Sequence, residues 1–146
     1  SMPQGGKVGI SAIPLILASY QLGVRKGLVV IVASLFARFA LIKPPYFVSM
    51  LQLFVDYFLA YGVYALSGLV KDMKLNKLSL PIGVLFTNLL RYLAHSVAGI
   101  LFFPSGENMT AIIIGSLSYN LPYMAVTAVV CFIVVMEVKP RLLRNN

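Results

Sequence analysis

From residue 109 to residue 136 the chain carries no charged side chain. A helix needs about 20 apolar residues to cross the ~30 Å hydrocarbon core of a bilayer, and this run exceeds that length. The rest of the chain follows suit. Apolar residues make up 60% and charged residues 11% of its 146 positions, where a soluble domain carries about 25% charged residues. A soluble core of this size cannot hide so much apolar surface. Five apolar segments emerge, at about 8–23, 27–42, 46–70, 79–103 and 109–136. They predict an all-α fold, a polytopic transmembrane helical bundle forming one domain over 1–146 in a lipid bilayer. The first two segments are short for a span. Gly23–Gly27 (GVRKG) and Lys43-Pro44-Pro45 break the early segments, KDMKLNK (71–77) reads as a polar loop, and KPRLLR (139–144) as a basic tail.

The charge is lopsided, with 12 Lys/Arg against four Asp/Glu. A basic balance can signal nucleic acid, but here the cations sit at the ends of apolar runs, where they set membrane orientation. Two fall in 23–27, three in 71–77 and three in the tail, against Lys7 and Lys43 on the intervening side. Positive loops stay inside, so the C-terminus is expected in the cytoplasm and residue 1 outside. An outside start without a cleavable signal inserts awkwardly, which predicts a further helix upstream. Asp72 and Glu137 are expected solvated at the cytoplasmic rim. Cys131 is a lone cysteine in an apolar run and reads as core filler.

Arg38, Asp56, Arg91 and His95 lie within apolar runs. On insertion scales an Arg or Asp at mid-bilayer costs about 2.5–3.5 kcal/mol, so such residues face the bundle interior. Asn88, Arg91 and His95 share one helix face by their spacing, as do Ser49, Gln52 and Asp56 with Tyr57 adjoining, and Ser116 and Asn120. Stripes on three helices that cannot face lipid must face one another and outline a polar cavity, walled at its outer end by Tyr46 and Phe102/Phe103. The alternative is structural: Asp56 and Arg91 form a buried ion pair, and polar groups glue the helices. Arg38, near Lys43, can snorkel to the outer interface. Ala33 and Ala37 permit close helix approach within the bundle, Gly5 and Gly9 read as loop, and Pro122 is expected to kink the last helix.

With those residues set out, the chain resembles a known family. PQGGKVGISAIPLILASYQLGVRKG (3–27), DYFLAY (56–61), LLRYLAHSVAGILFF (89–103) and SLSYN (116–120) are similar, in order and spacing, to the thiamine-specific S components of energy-coupling-factor (ECF) transporters, the ThiT/YuaJ family. The resemblance covers nearly the whole chain. It implies a six-helix fold of which these segments are helices two to six. It also implies a prokaryotic plasma-membrane subunit that captures a vitamin outside and associates with a T component and two ABC ATPase subunits. Residue by residue, it matches Asp56 to a glutamate facing the cationic thiazolium, and Tyr46 and Tyr57 to binding-site tyrosines. Arg91 stands where the family has lysine, and His95 and Asn120 match polar ligand contacts. Phe103 stands for an aromatic that stacks on the ligand. Two positions depart from the pattern: Gly9 replaces an acidic residue and Arg38 a tryptophan, and both make the cavity more positive.

The function expected is therefore thiamine uptake by a ligand-binding subunit with no resident cofactor or metal. Alternatives from the residues are an S component for another vitamin or a phosphorylated precursor, and a structural or assembly membrane protein without ligand. An intramembrane enzyme using Asp56 and His95 as acid and base is disfavoured. The chain shows no nucleophile beside such a pair, no metal-ligand cluster and no phosphate loop.

Overall fold

The structure, a computed structural model, describes residues 7–42 and 47–144. Tyr46 and the Lys43-Pro44-Pro45 break lie outside the described residues, as does Gly5. Helix α1 (Ala12–Leu41) contains both short segments and breaks at Gly23, whose φ of 81° and ψ of 175° leave helical space. Positive φ suits glycine, which has no Cβ to clash. The break is a reversal. A Cβ on Gly27 would lie 3.0 Å from the Ser19 Cα, whereas eight residues along a straight helix span about 12 Å. The limbs on either side of Gly23 therefore lie against each other.

Helix α2 (Met50–Leu69) starts later than position 46, at Ser49, whose hydroxyl accepts from the Gln52 N–H at 3.1 Å. A side-chain oxygen at that position satisfies an otherwise orphaned helix N–H. The polar loop and the residues after it fold into a hairpin, β1 (Met73–Leu75) against β2 (Leu78–Leu80), with Met73 opposite Leu80 and Leu75 opposite Leu78. Asn76 takes the turn at φ 54°, a conformation asparagine tolerates. Helix α3 (Ile82–Phe102) begins only after Pro81, since proline lacks the N–H that a helix interior requires. Helix α4 (Met109–Arg144) runs unbroken through Pro122 and Pro140 and absorbs the expected basic tail.

Helices α2, α3 and α4 are each long and apolar enough to cross a membrane. Their pattern is inverted relative to a soluble protein. On α3, Leu85, Leu89, Leu93 and Val97 face outward while Thr87, Asn88, Arg91 and Ser96 are buried: Leu89 is 54% exposed and Arg91 only 4%. Water would reverse that arrangement; hydrocarbon favours it. Between the helices lies a core of Ile16, Ile31, Tyr64, Val84 and Val135, with Cys131 among them as expected. Ala33 and Ala37 are exposed rather than packed within the bundle, because the second limb of α1 turns Ile31 and Leu35 inward instead.

One end of the bundle collects the basic segments. Lys139 on α4 donates to Asp72 at 2.6 Å, its ammonium lies 3.8 Å from the centre of the Tyr20 ring, and Ser79 donates to the same carboxylate at 2.8 Å. Asp72 is thus a half-buried anchor, not a solvated rim charge, whereas Glu137 is exposed beside Arg141. The opposite end holds Lys7, Phe103 and the 104–108 loop.

Glycine sets the closest approach of α3 to its neighbours. A Cβ on Gly83 would fall on the Ser67 carbonyl, and one on Gly99 on the Ser116 hydroxyl. Gly83→Ala is expected to lower the thermal midpoint in detergent by several degrees, consistent with about 1–3 kcal/mol for overpacking. Gly62→Ala, where a Cβ would meet only the Leu28 side chain at 3.7 Å, should leave the midpoint unchanged or slightly raised.

Candidate functional site

Helix α2 changes pitch along its length. It runs as π-helix over Phe54–Leu59 and as 3-10 helix over Val63–Leu69. The π turn absorbs an extra residue, and the 3-10 turn stacks residues three apart. Both changes keep polar side chains aimed at α3. Asp56 and Tyr61 are five apart and would diverge on an ideal α-helix, whereas Tyr61, Tyr64 and Ser67 follow at steps of three.

The result is a ladder between α2 and α3. Ser67 and Thr87 share a hydrogen bond of 2.9 Å, and the Tyr64 hydroxyl donates to Asn88 Oδ1 at 2.9 Å. Arg91 donates through Nη1 to the Tyr64 oxygen at 3.0 Å and through Nη2 to the Tyr61 oxygen at 3.1 Å. Its guanidinium carbon also lies 4.2 Å from the centre of the Tyr61 ring, a cation–π contact. Its Nε donates to His95 Nε2 at 3.1 Å, while His95 Nδ1 meets Asp56 Oδ1 at 2.6 Å. Because Nε2 accepts, the neutral imidazole carries its proton on Nδ1 and donates it to the carboxylate. Asp56 and Arg91 are therefore joined through His95, and the direct ion pair weighed from sequence is not formed. The other carboxylate oxygen accepts from Gln52 Nε2 at 3.1 Å, with Gln52 itself fully buried.

Helix α4 closes the third side. Ser116 donates to the Ser96 carbonyl at 2.7 Å, and Asn120 donates to the Ser116 carbonyl at 2.9 Å while accepting from the Tyr123 hydroxyl. The N-terminal segment supplies the fourth side: Gly9 N–H donates to Thr127 at 3.0 Å. A Cβ on Gly9 would lie 2.7 Å from Arg91 Nη1, so the guanidinium occupies the space that a side chain at position 9 would need.

These elements surround a half-open cavity of about 760 Å³, within the ~300–1,000 Å³ range of small-molecule sites. Asp56, Tyr57, Arg91, His95, Phe103 and Asn120 all line it. Arg38 lines it too, donating to the Tyr61 oxygen at 3.4 Å rather than snorkelling away. Ser49 instead caps α2, Asn88 is spent on Tyr64, and Phe102 is not among the lining residues. Tyr46 lies outside the described residues. His95 has both ring nitrogens engaged, so it orients Asp56 and Arg91 instead of offering a free edge to a ligand.

Sequence reasoning missed Tyr61, Tyr64 and Tyr123. A tyrosine inside an apolar run looks like ordinary packing, yet residues 57, 61 and 64 recur at helical spacing, and that was the available signal. Tyr61, Tyr119 and Tyr123 add aromatic surface to the cavity. Among the described residues no group of three or more His, Cys, Asp or Glu is placed to hold a metal.

A half-open, aromatic-walled cavity with charged and amide groups in its lining, set among helices long and apolar enough to cross a membrane, defines a membrane protein that binds a small molecule. Comparison with known sequences places it more closely. The Thia_YuaJ thiamine transporter protein family matches residues 1–144. The chain is 34% identical over 169 aligned residues to the thiamine transporter ThiT of Bacillus subtilis (strain 168), an alignment covering 100% of this chain and 83% of that protein. The chain belongs to this thiamine transporter family, which is a family of transporters and not of enzymes.

Tyr64→Phe removes the hydroxyl shared by Asn88 and Arg91. The variant should unfold about 1–3 kcal/mol more easily, the cost of leaving buried polar groups underpartnered, as measured by thermal or denaturant unfolding in detergent. An unchanged midpoint would show that the ladder does not hold α2 to α3.

Proposed function

We propose that this chain is the substrate-binding S component of an ECF importer that takes up thiamine across a prokaryotic plasma membrane. In this reading the cavity faces outward and the C-terminus lies in the cytoplasm. A T component and two ABC ATPase subunits supply the energy, since the chain has no nucleotide-binding motif of its own. One observation carries the reading: Asp56 is the cavity's carboxylate among the described residues, half-buried and held from both oxygens by His95 and Gln52.

The chemistry fits a flat cation. A fixed carboxylate attracts a ring cation more strongly in a partly desolvated cavity than in water. Tyr57, Phe103 and Tyr119 line the same cavity, and aromatic rings there add cation–π attraction and stacking. Asn120 keeps one amide proton and part of its carbonyl for the polar edge of a pyrimidine. No groups are arranged here for bond making or breaking, so the site holds its guest and releases it unchanged.

Titration calorimetry with thiamine tests this. Asp56→Asn should weaken binding at least tenfold while the unliganded midpoint moves by no more than a few degrees. Absence of any thiamine binding to the wild-type chain, or a large stability loss with unchanged affinity in Asp56→Asn, would end the assignment and favour a structural role.

Orientation has its own test. Cys131 is buried and is the chain's one cysteine. A cysteine placed at Ser105 should react with an impermeant maleimide added outside intact cells, and one at Lys77 should not. The reverse pattern would invert the topology.

A further inference from the structure

We propose that the cavity is built for a phosphorylated ligand: Arg38 and Arg91, whose guanidinium groups meet on one phenol oxygen, receive a phosphate that the ligand carries. The inference rests on the reading of the cavity as a thiamine site and narrows it to a phosphate ester of thiamine in preference to the free vitamin.

Arg38 Nη1 and Arg91 Nη2 donate to the same atom, the Tyr61 oxygen, at 3.4 and 3.1 Å. Two cations converging on one phenol oxygen repel each other, and Arg91 is only 4% exposed, so water screens it little. No carboxylate lies between them. The chain has four acidic residues. Asp56 is held apart from Arg91 by the intervening His95 ring, Asp72 is taken by Lys139 and Ser79, and Glu137 pairs with Arg141. Glu107 sits exposed in the 104–108 loop and forms no ion pair with either arginine. Gly9 supplies no carboxylate either, and the Arg91 guanidinium lies 2.7 Å from where a Cβ there would stand.

The cavity is thus electrically lopsided along one axis. Asp56 and Arg91 bind opposite edges of the His95 ring, so negative charge lies on one side of the imidazole and positive charge on the other. Arg38 and Lys7 line the same cavity and add to the positive total. Free thiamine brings only a cation into this surplus. Its phosphate ester brings a cation for Asp56 and a group of about −1.5 to −2 charge for the arginines. The planar guanidinium fork is suited to phosphate oxygens, offering paired N–H donors.

The test is calorimetry on the full chain in neutral detergent, titrated separately with thiamine, thiamine monophosphate, thiamine diphosphate, inorganic phosphate and phosphatidylglycerol. Thiamine monophosphate is expected to bind at least tenfold tighter than thiamine, with the gap shrinking as salt rises. Arg38→Gln should weaken the monophosphate at least tenfold and tighten thiamine, an inversion that general loss of structure does not produce. Arg38→Lys, which keeps the charge without the fork, should fall between. If thiamine binds as tightly as its esters or tighter, the phosphate site is wrong and the thiamine assignment stands. If neither thiamine nor its esters bind, both fall. Equal weakening of all ligands by Arg38→Gln would make Arg38 structural and overturn the proposal. So would binding of inorganic phosphate or phosphatidylglycerol that matches the monophosphate and is not displaced by thiamine.

Discussion

A guanidinium buried between membrane-crossing helices governs much of this structure. Arg91 is inserted where a charge costs several kcal/mol unless its donors are satisfied. Two tyrosine hydroxyls and an imidazole take hydrogen bonds from all three of its nitrogens, and an aromatic face covers the guanidinium, which meets most of that demand and leaves N–H groups to spare. Each is anchored in turn: Tyr64 to Asn88, His95 to Asp56, Asp56 to Gln52. The register of α2 against α3 follows from this chain of bonds, since sliding either helix by one turn would strand several buried donors together. The glycine at position 9 belongs to the same arrangement, because it leaves room for the Arg91 fork.

The same network that fixes the fold also shapes the cavity, and the two roles divide cleanly along α3. Its first half, with Gly83 against Ser67 and Thr87 bonded to Ser67, closes tightly on α2. Its second half supplies Arg91, His95, Ala98 and Gly99 to the cavity wall. The outward faces need only be oily, so Leu and Val serve there. Inside, almost every polar group has a named partner; the Tyr20 hydroxyl and the Ser96 hydroxyl are the buried side-chain atoms without one among the described residues.

How much of this was legible in the sequence depended on cost. Arg91, His95 and Asp56 announced themselves because hydrocarbon penalises them, and their helical spacing told which face they share. The Gly23 break was legible as a reversal, because the basic Gly-Val-Arg-Lys-Gly turn lies between Lys7 and Lys43, which the charge count places on the other side. The hairpin at 73–80 was hidden: its alternation of Lys with Met and Leu is only a few residues long and reads equally as loop. Ala33 and Ala37 misled because small residues allow close packing without requiring it. Tyr61 and Tyr64 stayed unseen because a phenol is cheap in an apolar run until a cation needs its oxygen.

The altered pitch of α2 carries one more consequence. A helix that winds loosely over 54–59 and tightly over 63–69 acts as a vernier between two rows of side chains whose intervals differ. Its length is consequently locked. Losing one residue from the wide turn would swing Asp56 and Gln52 by about 100° relative to the tyrosines, presenting a carboxylate to lipid and a blank wall to the guest. Loops elsewhere in such a protein can grow or shrink; between Gln52 and Ser67 the count of residues itself shapes the cavity wall.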